Sequence, residues 1–530
     1  MPLDVRRGLQ QAEYTTRKTV PIRPLMGQWT YDAAEDVPVG SSPDMMNCIV
    51  SQGTLRKRPG YGPYPRLMNA LPGPVTGVYS TQDVNNITHA IAMWRGGGAK
   101  YNQATKQFDP LTGFTPTGTD LDLWDFETSQ NSIVMSQGKD PVLRLPFTGL
   151  AMAPLNANCP PARYLARFNS RLNLGWTLEA GAPNPFRHRF SVALNHTDWV
   201  GLGAGLRDTT EFPYHMTNMK RLGQQLVIYY EKAIELATPQ PVALAPFTYV
   251  TRVTDIGLYA PHTLKGRNDQ HYFMGTDSFY TFNGVQGQDI APQIRSEVFG
   301  SINASQVGIM FGEILYGSQE YVAFISTGPE AIPNTVWVYK WDRNIWYPWS
   351  VHGPRCSTTH RLDQSLTIDE LIGIIDVQNW QFDSTQLLAS FPALVTGDQD
   401  GKVYLWSLQY PSDAGGLIAC RWTSHDFNSE NTFGQGGHEI TIERLEVHYQ
   451  AVGNAALLQF YLSMNGGLSW FGPFPMQFVS LSNGVATGIV DQRLTGPSIR
   501  FKFVHESSTD TFAIIKFLPT FSLEETKVMA

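Results

Sequence analysis

One theme returns from about Tyr61 to Tyr410 of this chain, at spacings of roughly 40 to 50 residues, and it constrains the fold more than any other feature. In each copy an alternating strand is followed by a turn and a second strand that ends in Tyr, Trp or Phe. Examples are HAIAMWRGGGAKYNQATKQFDPL (His89 to Leu111), NSIVMSQGKDPVLRL (Asn131 to Leu145), QHYFMGTDSFYTFNGVQGQDI (Gln270 to Ile290), YVAFISTGPEAIPNTVWVYKWDRNIWYPWSV (Tyr321 to Val351) and ALVTGDQDGKVYLWS (Ala393 to Ser407). A strand that is apolar on one face turns at Gly or Asp-Gly and pairs with its neighbour, so each copy predicts a hairpin. Roughly five to seven such units can be recognised, and stacking them is what buries their apolar faces.

Strands are expected at Val75 to Ser80, Thr88 to Trp94, Ser132 to Ser136, Gln225 to Tyr230, Gln270 to Met274, Tyr321 to Ile325, Thr335 to Lys340 and Lys402 to Trp406. Helical periodicity is confined to a short stretch near Asp363 to Leu371 and the opening residues. The expected fold is all-β. A β-propeller built from degenerate four-stranded blades spans 61–416, behind an irregular Pro-rich N-terminal docking arm over 1–60. After Leu417 longer alternating strands (ITIERLEVHYQAV, ALLQFYLSMN, SIRFKFVHES, AIIKFLPTFSLE) predict a C-terminal β-sandwich over 417–530.

Composition narrows the function classes. The 530 residues are 42% hydrophobic and 12% aromatic, which excludes disorder and favours strands over helix bundles. Charged residues are 16%, against roughly 25% in an ordinary soluble domain, which suits a permanent assembly as well as a large all-β protein solvated by Ser, Thr, Asn and Gln. A net charge of −7 is unlike a nucleic-acid binder that neutralises phosphates. It is compatible with a wall past which DNA slides. Cys48, Cys159, Cys356 and Cys420 form no CxxC pair and read as buried free thiols. The N-terminal residues have no apolar signal region, and no apolar run approaches the roughly 18 residues of a membrane span.

Several motifs look chemical, and each has a plainer reading. Pro43 to Tyr64 holds a turn at Gly53 and a compact Arg56, Lys57, Arg58, Pro59, Gly60 cluster. It reads as a strand, a tight turn and a solvated basic edge, with a phosphate or DNA contact as the competing reading. Gly181 to Trp199 carries His188, His196 and Asp198, spaced unlike a metal motif, and Trp199 reads as a packing anchor. Asp398 and Asp400 before Gly401 resemble the start of a calcium loop without its later ligands, so a hairpin turn is expected. SMNGGLSW, Ser463 to Trp470, approximates the S-x-D-x-G-x-T-W box of sialidase-type propellers, with Asn465 and Ser469 in place of Asp and Thr. No nucleotide-binding, zinc-protease or serine-hydrolase motif is present in usable form. No catalytic, cofactor-binding or metal residue is assigned.

The order of these stretches resembles the nozzle proteins of short-tailed bacteriophages, the tail tubular protein B-like and tail-stabilisation proteins. The series runs from Gly53 to Gly60 with Arg58, Pro59 and Gly60, through Arg171 and Leu172, to Asp198 and Trp199. It continues with the GTDSFYTFNG hairpin between Gly275 and Gly284, the strand end with Trp341, Arg343, Trp346 and Trp349, the hairpin with Asp400 and Gly401, and the segment ending at Trp470. Asp277 is followed by Ser278 where the family has Gly. The resemblance implies a structural virion protein. It would form a hexameric ring in the tail below the portal and adaptor, bind fibre, needle or plug proteins, and pass double-stranded DNA without sequence-specific contact. It also implies assembly in the host cytoplasm. The alternative is a virion glycan-binding or glycan-hydrolysing tail protein of sialidase-like propeller type, and a third reading is a propeller scaffold for protein partners.

Overall fold

The computed structural model describes residues 17–33, 35–64, 70–242, 244–267, 269–361, 392–450 and 457–524. The helical stretch expected near Asp363 to Leu371 and that in the opening residues lie outside them. The chain divides into two compact units, one of residues 58–418 with 507–509, the other of 1–57, 419–506 and 510–530.

The larger unit holds seven antiparallel four-stranded sheets among the described residues. Sheet I is Val75–Gln82, Thr88–Trp94, Gly97–Asn102 and Gln107–Pro110. Sheet II is Asp125–Ser129, Ser132–Ser136, Leu143–Pro146 and Ala153–Pro154. Sheet III is Ala162–Phe168, Arg171–Glu179, Ala182–Phe190 and Gly205–Asp208. Sheet IV is Met216–Leu222, Gln225–Tyr230, Ile234–Pro239 and Phe247–Val253. Sheet V is Lys265–Gly266, His271–Met274, Phe279–Phe282 and Gly287–Asp289. Sheet VI is Phe311–Leu315, Glu320–Ile325, Thr335–Lys340 and Ile345–Ser350. Sheet VII is Pro354–His360, Ala393–Asp398 and Val403–Ser407, completed by Gly60–Pro63 from the other end of the chain.

In sheets I to VI the strands follow one another in chain order, and several of the hairpins close with two-residue turns that have the twist hairpins need. Gln130 and Asn131 (φ 46° and 55°) and Asn169 and Ser170 (φ 49° and 57°) make two of these turns without glycine. Aromatic and β-branched residues on the sheet faces form cores between consecutive sheets. Tyr272, Met274 and Phe279 of sheet V meet Tyr321, Trp337 and Trp346 of sheet VI. Val75, Val78 and Ala92 of sheet I meet Cys356, Val395 and Val403 of sheet VII.

The β-propeller expected over 61–416 is corrected to this description: small separate antiparallel sheets, none closed into a barrel or propeller by its hydrogen bonds. The irregular N-terminal arm is corrected as well. Met45–Met46, Cys48–Ser51, Thr54–Lys57 and Arg17–Thr19 are ladder strands of the smaller unit. Its eight-stranded sheet orders Cys48–Ser51, Thr54–Lys57, Ala513–Glu524, Glu439–Gln450, Val485–Val490 and Gln477–Ser482. Arg17–Thr19 and Leu494–Gly496 pair off that path. A five-stranded sheet orders Met45–Met46, Ile418–Thr423, Arg500–Ser507, Leu458–Ser463 and Phe471–Pro475. Between them Trp422 stacks on Phe517 at 5.2 Å and Phe427 lies 4.7 Å from Phe521. The sandwich expected from 417–530 alone therefore draws strands from both ends of the chain. Proline-rich composition hid these strands because positive φ at Asn47, Gln52 and Gly53 turns the chain between ladder segments too short for a period to show.

Candidate functional site

The residues singled out in the sequence do not converge; most are used in turns and packing. Gln52 and Gly53 (φ 50° and 73°) form the turn between Cys48–Ser51 and Thr54–Lys57. The basic cluster beyond it is not a solvated edge. Lys57 and Arg58 are buried, and Arg58 Nη1 donates to Asp413 Oδ1 at 2.9 Å while Nη2 donates to the Ser350 carbonyl at 2.9 Å. A Cβ on Gly60 would lie 2.2 Å from the Ser412 carbonyl, so only glycine lets the chain past Pro59 at this point.

Arg171 is buried and donates to the Ser191 carbonyl at 2.7 Å, pinning the loop that follows sheet III's third strand. In that loop Asp198 Oδ1 accepts from Gly201 N at 2.8 Å, and Trp199 is buried in the core between sheets II and III. His188 is held by Asn173 (3.1 Å) and Tyr249 (3.0 Å), and burial pushes it down to about 3. His196 is held by Ser129 at 2.8 Å. Both are satisfied core histidines.

Gly275 N donates to the Ser278 carbonyl at 2.9 Å, closing the turn around Asp277, and Gly284 (φ 91°) follows the next strand. Trp346 Nε1 donates to the Ile290 carbonyl at 2.7 Å, joining sheet VI to sheet V. Trp341 is covered by Arg267, 5.0 Å above its ring. Asp398, not Asp400, organises the Asp-Gly turn: its Oδ1 accepts from Asp400 N (2.9 Å) and Lys402 N (2.7 Å), with Gly401 at φ 76°. The Ser463–Trp470 box is likewise a turn. Gly467 N donates to Ser463 Oγ (2.9 Å) and Ser469 N to Asn465 Oδ1 (2.9 Å), while Trp470 lies under Lys502 Nζ at 4.2 Å.

The candidate site is a set that sequence reasoning missed. The first strands of all seven sheets, through residues 76–80, 123–127, 165–167, 218–221, 264–266, 311–314 and 356–359, line one cavity of about 510 Å³. Charges of both signs face it: Asp125, Glu127 and Glu313 against Arg167, Lys220, Arg221 and Lys265. Lys265 Nζ meets Glu313 Oε2 at 3.0 Å. Asp125 and Glu127 reach from sheet II to sheet III, where Leu165 N donates to Asp125 Oδ2 (2.7 Å) and Arg167 N to Glu127 Oε2 (3.0 Å). Burial pushes Asp125 up to about 6 and raises Glu127, while those backbone donors oppose the shift. Burial, with Lys265 nearby, lowers the Lys220 ammonium, and Glu127 and Asp125 hold it up.

Chemically this lining is a hydrogen-bonded wall of mixed charge, with four basic side chains to three acidic ones. Burial drives His262 down to about 4 and the Cys356 thiol up to about 12, so at neutral pH one is an uncharged imidazole and the other a thiol. Among the described residues no group of three or more His, Cys, Asp or Glu could hold a metal ion. The signal that could have found the set is register. The charges fall at the same place in successive repeats, in DFE, LAR, MKR, LKG and GEI, one residue type at a time and too sparse to form a motif.

No protein-family model and no curated protein matches the chain. Among solved structures it is similar to the computationally designed Ika8 protein at 9% identity and a TM-score of 0.35, over 73% of this chain and 99% of that one. Of what the resemblance implied, the β-propeller is corrected by the sheet topology, and bacteriophage, virion, tail, nozzle, homohexamer and DNA ejection find no support in these comparisons. A β-rich protein is what stands.

Proposed function

We propose that this chain is a non-catalytic structural subunit of a short-tailed phage tail, positioned in a ring below the portal and adaptor. The observation that carries the reading is strand Gln477–Ser482. It ends the eight-stranded sheet, pairs on one edge only among the described residues, and is exposed at all six positions. Phe478, Val479 and Leu481 are 62%, 53% and 58% exposed. Natural edges are guarded by charge or proline, and this one has neither, only a bulge at Val479. Such an edge suits a surface that a neighbouring subunit covers in an assembly. The low charge content and the ordered motifs agree with that role. A cavity of 510 Å³ is the size of a small-molecule pocket, so in this reading a passage for duplex DNA lies between copies and not through one chain.

The test is sedimentation velocity of the wild type and of the double variant Phe478→Lys, Leu481→Lys, alone and mixed with portal and adaptor rings. The wild type is expected to associate and the variant to lose association at least tenfold. Its thermal midpoint should stay put, since substitutions at exposed sites usually shift stability by no more than about 0.5 kcal/mol. A wild type that stays monomeric in every mixture, or a chain absent from purified virions, sinks the reading. Release of reducing sugar from host capsule would replace it with glycan hydrolysis.

A further inference from the structure

In the smaller unit the chain changes sheets at Asn47 (φ 57°): Met45–Met46 pairs with Ile418–Thr423 in the five-stranded sheet, and Cys48–Ser51 belongs to the eight-stranded one. The crossing sets two buried thiols side by side. Cys420 Sγ donates to the Asn47 carbonyl at 3.2 Å and Cys48 Sγ to the Arg421 carbonyl at 3.4 Å, so each thiol is anchored to the backbone next to the other cysteine. His505, fully buried, faces Cys420, and neither of its ring nitrogens makes an ordinary hydrogen bond. Lys57, also buried, donates to the Asp510 carbonyl at 3.1 Å and adds positive charge beside the pair. Thiols bury readily, but an imidazole and an ammonium beside them are costly in a core that holds Trp422, Phe501, Phe503 and Phe517. Packing alone does not call for them.

We propose that Cys48 and Cys420 are an oxidation-responsive thiol pair, closing to a disulfide that joins the two sheets of this unit when a peroxide reaches them. The two sulfurs divide the work. Burial raises both thiols. Cys48, His505 and the charge of Lys57 beside it then pull Cys420 below its usual value, whereas Cys48 stays well above its own. The Cys420 thiolate attacks one oxygen of hydrogen peroxide, the O–O bond breaks, and hydroxide leaves to take up a proton as water. The Cys48 sulfur then attacks the sulfur of the Cys420 sulfenic acid. An S–S bond forms, the S–O bond breaks, and the hydroxyl leaves with the Cys48 proton as a second water. Two thiols lose two electrons and one peroxide becomes two waters. Water-sized peroxide is the fitting oxidant, because neither sulfur is open to a larger disulfide.

The remaining cysteines are internal controls: Cys159 and Cys356 have no thiol neighbour among the described residues, and burial pushes both up to about 12. The experiment treats the full-length protein with graded hydrogen peroxide, blocks free thiols in denaturant and maps peptides by mass. The expected product has lost two hydrogens, links the Cys48 and Cys420 peptides, leaves Cys159 and Cys356 alkylated, and reverts with a thiol reductant. Its thermal midpoint rises by roughly 5–10 °C. Cys48→Ser should trap Cys420 as a dimedone-reactive sulfenic acid, and Cys420→Ser should leave Cys48 unreacted; Ala variants serve if either Ser variant does not fold. The proposal falls if Cys420 goes to sulfinic acid while Cys48 stays free, or if Cys159 and Cys356 oxidise as fast. It also falls if the folded protein stays fully reduced at peroxide levels that oxidise the unfolded chain.

Discussion

Arg58 shows how a residue that looks like a surface cation takes a structural role. Its side chain is 1% exposed and that of Asp413 is 8%, so each charge has exchanged water for the other. Removing one partner of such a pair strands the second, at a cost of about 3–5 kcal/mol. Arg58→Met is therefore expected to lose that much in chemical denaturation. The double variant with Asp413→Leu should recover part of it, since two apolar groups leave no charge buried. Asp125 makes a prediction of the opposite sign. Burial pushes its folded pKa up to about 6, above the ordinary range of an Asp carboxyl, so the folded state binds its proton more tightly than the unfolded state does. Its contribution is fully present below the unfolded value and is lost as pH rises through about 6. Asp125→Asn keeps an acceptor for Leu165 N and removes the charge that burial and Glu127 oppose and Lys220 partly offsets. The variant should gain on the order of 1 kcal/mol over the wild type at pH 8, with no difference at pH 3. Melting curves across that range decide it; an equal gain at both ends would mean that charge is not the cause.

Elements were legible where two conditions met, a short apolar run and a strong turn. Thr88–Trp94, Ser132–Ser136, Gln225–Tyr230 and Thr335–Lys340 fall where such runs and flanking turn residues place them, and they are buried on both faces. Short outer strands such as Ala153–Pro154 and Gly287–Asp289 carry too few residues to show a period and are fixed only by the partner they pair with. The N-terminal strands failed for the same reason, compounded by proline. The chemical-looking motifs could be read as turns because turn chemistry is local: Asp398 and Asn465 each satisfy backbone N–H groups within four residues of themselves. Cavity charges and the Cys48–Cys420 pair are not local. Sulfurs far apart in sequence meet because one residue, Asn47, lets the chain cross between sheets, and no spacing rule anticipates that crossing.

At the scale of the whole molecule, the N-terminal segment does two separable jobs. Residues up to Lys57 supply strands to the smaller unit, and Gly60–Pro63 supplies the outer strand of sheet VII. There Tyr61 packs 4.9 Å from Tyr404 and 4.8 Å from Trp406, apolar area worth about 1.5–3 kcal/mol for one large side chain. Two truncations distinguish the jobs. Deleting 1–57 removes Met45–Met46, Cys48–Ser51 and Thr54–Lys57 and uncovers the core around Trp422, so the smaller unit should lose its cooperative transition in calorimetry. The larger unit, with sheet VII complete, should keep its near-ultraviolet aromatic signal and its midpoint. Deleting 1–63 also removes the last strand of sheet VII and the Arg58–Asp413 pair, and should lower the midpoint of the larger unit by several degrees, at roughly 2–4 °C per kcal/mol or less for a unit of this size. If both truncations leave that midpoint equal, Gly60–Pro63 pairs with Val403–Ser407 without stabilising the unit, and sheet VII stands on three strands.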